Sequence, residues 1–206
     1  MKSMLVLILA AGCTTQPSKQ LMSSFEKAQP KYSIEVRYLT SESSRCPTKI
    51  DPEKSYSEDD LITWANGCFS KKNSQALDEL SVLIAEKNVR SPWGYYFMSL
   101  SAELAGANQK SLHLINMAIN KTPNIAVLYF QRGRLYWQNS EELLAVKDFE
   151  KASKLDDKLV SAHLFLAQVY QRDDLKEKAR AHWDAVRKLD PSNPLILAAN
   201  KKEVKQ

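Results

Sequence analysis

The sequence predicts an all-α solenoid of antiparallel helix pairs, with a short capping helix at its C-terminal end and an irregular N-terminal extension. Three observations carry that expectation. The first is self-similarity at a fixed period: residues 126–159 and 160–193 align over 34 positions without a gap, and 92–125 aligns as the unit before them. The second is what recurs. Tyr129, Gly133, Tyr136, Ala145, Phe149, Ala152 and Leu155 are matched at the same offsets by His163, Ala167, Tyr170, Ala179, Trp183, Val186 and Leu189. Small residues recur where two helices must approach and large ones where they fill the gap, giving each helix one apolar stripe. The third is composition. Only 5 of 206 residues are Gly, and Ala, Leu, Lys and Glu are frequent, which favours helix.

Taken in order, the chain opens with Lys2 and a short apolar stretch from Met4 to Ala11, the pattern of an export signal over residues 1–12. It is too short for a permanent membrane span. Cys13 follows Ala10-Ala11-Gly12 directly. This resembles the bacterial lipobox, although Ala10 stands where a Leu is usual. The resemblance implies that Cys13 becomes the lipidated first residue of the mature chain, carrying palmitate-type acyl chains that anchor it to a membrane; two or more chains hold firmly. Thr14 and Thr15 follow, with no Asp, which resembles an outer-membrane address in a Gram-negative cell. In a Gram-positive cell the same signal would mean the outer face of the cell membrane. Ordinary secretion and a cytosolic chain with an apolar start are the alternatives.

Residues 13–56 form a linker with Pro17, Pro30, Pro47 and Pro52. Ser24 to Gln29 predicts a short helical turn stopped at Pro30. Lys31 to Leu39 then alternates strictly, with Tyr32, Ile34, Val36 and Tyr38 on one side, which is the period of a half-buried strand. Three readings are open for it: pairing with the sheet edge of another protein, an extended segment packed on the first helices, or a partly ordered linker. With Cys13 given to lipid, Cys46 and Cys68 remain. In an exported chain an even pair points to a disulfide, clipping the linker to the first helices. Two unrelated thiols are the alternative.

Residues 57–91 scan as a degenerate first helix pair. Ser57 and Asp60 have the spacing of a capping box. Leu61, Ala65 and Cys68 lie on the stripe, and a second helix is expected from Ser74 to Glu86. The units 92–125, 126–159 and 160–193 turn near Gly106, Asn139-Ser140 and Asp173-Asp174. They break at Thr122-Pro123, Asp156-Asp157 and Asp190-Pro191. Residues 194–206 predict a capping helix, apolar first and charged last, as the end of a solenoid requires.

Gly133-x-x-Tyr136, the run Ala145, Phe149, Ala152 and the ending Leu189-Asp190-Pro191 resemble the tetratricopeptide repeat (TPR). Asp157 departs from the usual terminal Pro, and Arg132 from an apolar residue. The resemblance implies a curved stack whose first helices line a concave face that binds protein segments. On that face it places Trp93, Tyr96, Phe130, Arg134, Trp137, Gln168 and Arg172, with Ile62, Asn66, Phe69, Leu100, Leu164 and Gln171 beside them. Aromatics and Arg dominate binding hot spots, so the expectation is a groove for a peptide or helix with apolar anchors and an acidic group facing Arg134 or Arg172. Two other readings stay open: the chain's own closing helix or linker fills the groove, or some of these aromatics pack between repeats.

The charge balance argues against nucleic acid. The net +5 arises from 29 basic and 24 acidic residues that are interleaved. His113, His163 and His182 have no metal-ligand neighbour at helical spacing, and no H-E-x-x-H, P-loop, G-x-S-x-G or C-x-x-C occurs. The acidic pairs Asp59-Asp60, Glu141-Glu142 and Asp173-Asp174 sit at helix starts or turns. The expectation is no catalytic residue, no metal, no cofactor and no small-molecule substrate. The chain reads instead as a lipid-anchored adaptor for another envelope protein. Its anchor and repeats resemble pilotin and tight-adherence pilus lipoproteins, which implies a secretin or pilus component as partner. Adaptors of periplasmic proteases or peptidoglycan enzymes are the alternative, and a peptidoglycan-acting enzyme is disfavoured because no paired carboxylate marks a cleft.

Overall fold

A computed structural model of the protein describes residues 45–51 and 54–197. The signal segment, Cys13, the strand expected at 31–39 and the last nine positions lie outside the described residues. Eight helices are present among those described, in four antiparallel pairs. They are α1 Glu58–Ser70 with α2 Ser74–Lys87, α3 Trp93–Leu104 with α4 Asn108–Lys121, α5 Ala126–Gln138 with α6 Glu142–Leu155, and α7 Val160–Arg172 with α8 Lys176–Leu189. Residues 194–197 begin a further helical turn.

The period is written into the turns. Within each pair one residue takes the left-handed conformation: Lys72, Gly106, Ser140 and Asp174, with φ of 55°, 75°, 65° and 56°. These positions are spaced by one repeat. The backbone closes the same two hydrogen bonds each time. In the third pair Glu141 N–H donates to Tyr136 O at 2.8 Å and Ser140 N–H to Trp137 O at 3.0 Å. The other three turns repeat the scheme, so each first helix ends in a Schellman motif that satisfies its last carbonyls. Between pairs the chain straightens: Asn88, Thr122, Asp156 and Asp190 end the second helices at φ between −139° and −145°.

Helix approach is set by small residues. A side chain at Gly94 would place its Cβ 2.6 Å from Ala85 Cβ and 2.8 Å from Ala85 Cα, so α3 can lie against α2 only with glycine there. At Gly133 the neighbour is the Phe149 ring, 2.9 Å away. In the second pair the offsets of Gly133 and Ala145 carry Ser99 and Ser111. Both are buried, and their hydroxyls satisfy each other: Ser111 Oγ donates to Ser99 O at 2.8 Å, and the two Oγ atoms are 2.9 Å apart.

Two contiguous clusters form the core, one around Phe97, Ile115 and Leu128 and one around Phe149, Phe165 and Val186, with Tyr129 and Tyr136 touching both. Each end is covered. Cys46 and Cys68 form a disulfide across 22 residues. It ties Cys46 to α1, and Cys46, Ile50 and Tyr56 pack on the first cluster, with Tyr56 meeting the Trp64 ring edge-on at 5.0 Å. The capping box forms, with Ser57 and Asp60 bonding each other's backbone N–H. At the other end Ile196 is buried against the last pair.

Candidate functional site

The inner face of the stack is built by α1, α3, α5 and α7. Each contributes side chains at the second, fifth, ninth and twelfth positions of its unit. The ninth position runs down the middle as Asn66, Leu100, Arg134 and Gln168.

The structure divides the seven expected groove residues. Tyr96, Phe130 and Trp137 are core, at 3%, 3% and 0% exposure, which corrects the expectation that they stand clear of packing. The reason differs by residue: Trp137 meets the next first helix, Phe130 the second helix of its own pair, and Tyr96 its neighbours along α3. Trp137 sets its ring edge-on to Phe165 of the next pair at 4.6 Å, Phe130 tilts on Phe149 at 5.4 Å, and Tyr96 meets Trp93 and Phe97 edge-on at 5.6 and 5.1 Å. Burial also pushes the Tyr96 phenol well above its ordinary range. Trp93, Arg134 and Gln168 are half-buried, and Arg172 is exposed.

The two arginines are already matched by acids, which corrects the expectation of an acidic ligand group. Arg134 Nη2 donates to Glu103 Oε1 at 2.9 Å, and Gln131 and Gln138 donate to the same carboxylate at 2.7 and 2.8 Å. Arg172 pairs with Glu142 and Asp173 and lies over the Trp137 ring, 5.6 Å from its centre. The inner face therefore carries charge in compensated pairs. Glu103 escaped the sequence reading because it sits in the unit before Arg134. The 34-residue register was the signal that pointed to it, since Glu103 and Trp137 share the twelfth position.

Packing leaves a second set of polar groups. Among the described residues, five buried side-chain atoms have no hydrogen-bond partner: Asn66 Nδ2 and Oδ1, Arg134 Nε, Trp137 Nε1 and Ser161 Oγ. All belong to first helices, at the ninth, ninth, twelfth and second positions of their units. Asn66 is 4% exposed and Ser161 1%. The described second helices contribute none. These groups lie within the packing of the first helices, and the face around them is largely apolar and charge-compensated. It offers no nucleophile with a base beside it. Among the described residues no group of three or more His, Cys, Asp or Glu is placed to hold a metal ion.

The comparisons agree with this geometry. A thermophilic TPR protein of Thermus thermophilus superposes with a TM-score of 0.61 at 17% identity, over 76% of this chain and 84% of that one. The fold is that of a tetratricopeptide-repeat solenoid. The crystal structure of MamA gives the same result at a TM-score of 0.51 and 15% identity, covering 72% of this chain and 81% of that one. Among curated proteins, a TPR repeat-containing protein of Methanocaldococcus jannaschii is 27% identical over 123 residues, and anaphase-promoting complex subunit 3 of Schizosaccharomyces pombe is 22% identical over 138 residues. The matches cover 59% and 67% of this chain but only 22% and 21% of those proteins, so the chain spans about a fifth of their length. No family model matches the chain.

Proposed function

We propose that this TPR solenoid is a scaffold that holds a segment of another protein on its inner face, carried at the bacterial envelope by a lipid on Cys13, where it aids assembly of a pilus or secretion complex. The observation that carries the reading is the stack of helix pairs with the fold of solved TPR solenoids, whose first helices leave Trp93, Arg134 and Gln168 only half-buried. The lipobox-like Ala10-Ala11-Gly12-Cys13 supports the anchor, and the repeat character of the curated relatives supports protein binding.

Two measurements test it. Labelling of cells with radioactive palmitate should mark the wild-type chain and not Cys13→Ala; an unlabelled wild type removes the anchor. Cross-linking in envelope fractions, with mass spectrometry, should recover a secretin or pilus component. Its recovery should fall at least tenfold in Trp93→Ala with Gln168→Ala, two half-buried inner-face positions. Recovery that ignores both substitutions removes the inner-face reading.

A further inference from the structure

We propose that the contact between His163 and His182 is an acid-operated latch: protonation of both rings releases α8 from α7, while helices α1 to α7 stay folded.

The two histidines depart from the repeat at the same two positions. They are the fourth and twenty-third residues of their unit. Leu61 and Leu80 hold those positions in the first pair, Tyr95 and Leu114 in the second, and Tyr129 and Asp148 in the third. Leu61 and Leu80 are buried, so the fold accepts an apolar pair there. The last pair carries two imidazoles instead, with Nδ1 facing Nδ1 at 2.9 Å. Such a contact holds one proton. His163 Nε2–H donates to the Asp157 carbonyl at 3.0 Å, so the neutral ring accepts at Nδ1 and His182 donates. A first added proton goes to Nε2 of His182 and leaves the contact intact. A second must go to Nδ1 of His163, and two N–H groups then point at each other.

Charged groups reach the pair from each neighbouring element. Burial disfavours a charge on His163 more strongly than Asp157 and Asp156, in the connection before α7, favour it. Burial and the neighbouring His163 disfavour a charge on His182; Glu150 of α6 opposes this, and Lys178 of α8 adds to it. Tyr170 of α7 stacks on the His182 ring and donates its hydroxyl to Glu150. Both rings are therefore harder to protonate in the stack than in a free chain. Opening takes up protons as pH falls below about 6.5, and its equilibrium shifts by up to about tenfold per pH unit for each histidine.

The release is local because little holds α8. Of its 14 residues only Ala179 and Val186 are buried, whereas 10 of 13 are buried in α7. Arg180 and Arg187 both pair with Asp184 inside α8 and so do not tie it to another helix. Of the described residues that follow, Asn193 and Ile196 are buried, and they continue the chain of α8 and leave with it. α7 keeps its own hold on the third pair. Phe165 packs on Phe149 at 3.8 Å and on Trp137 at 4.6 Å, and Tyr170 bonds Glu150. Each unit of a solenoid leans only on its neighbours, so an end helix opens without the rest.

Amide exchange of the full chain, followed by mass spectrometry and corrected for the intrinsic rate at each pH, tests the latch. From about pH 7 to about pH 5 the protection of α8 should fall at least tenfold, while that of α1 to α4 changes less than twofold. His113→Gln, at an exposed position of α4, should leave this response unchanged. His163→Leu with His182→Leu, which copies the first pair, should abolish it. Protection lost equally along all eight helices is global acid unfolding and overturns the proposal. So does flat protection of α8, or a double-leucine chain that responds as wild type does. Should the double variant not fold, proton NMR of the wild-type histidine rings decides. Titration of His163 and His182 in step with the loss of α8 protection supports the latch, and titration while α8 stays protected overturns it.

Discussion

Arg132 grips Asp148 with two parallel hydrogen bonds, Nε to Oδ2 at 2.7 Å and Nη2 to Oδ1 at 2.8 Å. Its Nη1 donates to Asn116 Oδ1 at 2.8 Å, tying α5 to α6 and to α4 of the pair before. Its guanidinium also lies within 5.4 and 5.8 Å of the centres of the Tyr129 and Tyr136 rings. Arg132 stands where the resembling repeats carry an apolar residue. The position has exchanged a hydrophobic contact for a bidentate pair.

That exchange predicts an asymmetry. Asp148→Ala leaves a guanidinium that is partly buried without its carboxylate, and should cost about 3 kcal/mol. The double variant Arg132→Leu, Asp148→Leu should recover most of the loss, because two well-packed apolar groups replace a pair whose desolvation offset its attraction. Urea melts of the three chains check this; a double variant as weak as Asp148→Ala would show that the pair is a net stabiliser.

Gly94→Ala and Gly133→Ala should differ in severity. At Gly94 the clash is with Ala85 backbone, which cannot yield without moving a helix, so the loss should reach about 3 kcal/mol or abolish folding. At Gly133 the clash is with a phenylalanine ring that has some room to tilt, and the loss should be about half as large. Thermal melts that rank them in the opposite order would refute the packing argument.

The left-handed turn positions predict stabilising changes. Ser140 holds φ 65° and Asp174 φ 56° without being glycine. Ser140→Gly should gain about 0.5–1 kcal/mol, the relief of left-handed strain less the added freedom of the unfolded chain. Gly106→Ala should lose about 1 kcal/mol, from φ alone, since no atom lies within 4 Å of the added Cβ. Chemical denaturation midpoints report both signs.

The last pair should be acid-sensitive. His163 Nε2 faces the Asp157 carbonyl at 3.0 Å and so donates to it, which leaves its Nδ1 to accept from His182 Nδ1–H at 2.9 Å. Burial, with the neighbouring His163, lowers His182 from 6.5 to about 4, and burial lowers His163 as well. Nearby Glu150 opposes the His182 shift and Lys178 adds to it. The folded state therefore resists protons that the unfolded chain accepts. Stability from this pair is complete above about pH 6.5 and is lost as pH falls toward 4. The melting temperature should fall over that window, and His182→Asn, whose amide can still donate to His163, should flatten the fall. An unchanged slope would remove the pair as its source.

How much of this the sequence carried differs by feature. The repeat register, the turn positions and the capping box were legible because they are local. They depend on residue spacing along one or two helices, on φ preferences and on side chains that reach three residues. The inner face was legible as a list of positions and illegible as a surface. Trp137 looks surplus when one unit is read alone, because the residue that buries it is Phe165, in the next pair. Arg134 and Arg172 look available for the same reason, since Glu103 and Glu142 stand about one period upstream, in the pair before.

The sequence by itself therefore determined the solenoid: its pairs, its period and its close approaches, all of which follow from nearest-neighbour chemistry. The tertiary structure decided which inner-face groups are consumed by packing and ion pairing and which are left without partners. That division depends on where one pair sits against the next, and a one-dimensional pattern does not contain the distance across which Arg134 meets Glu103 or Trp137 meets Phe165.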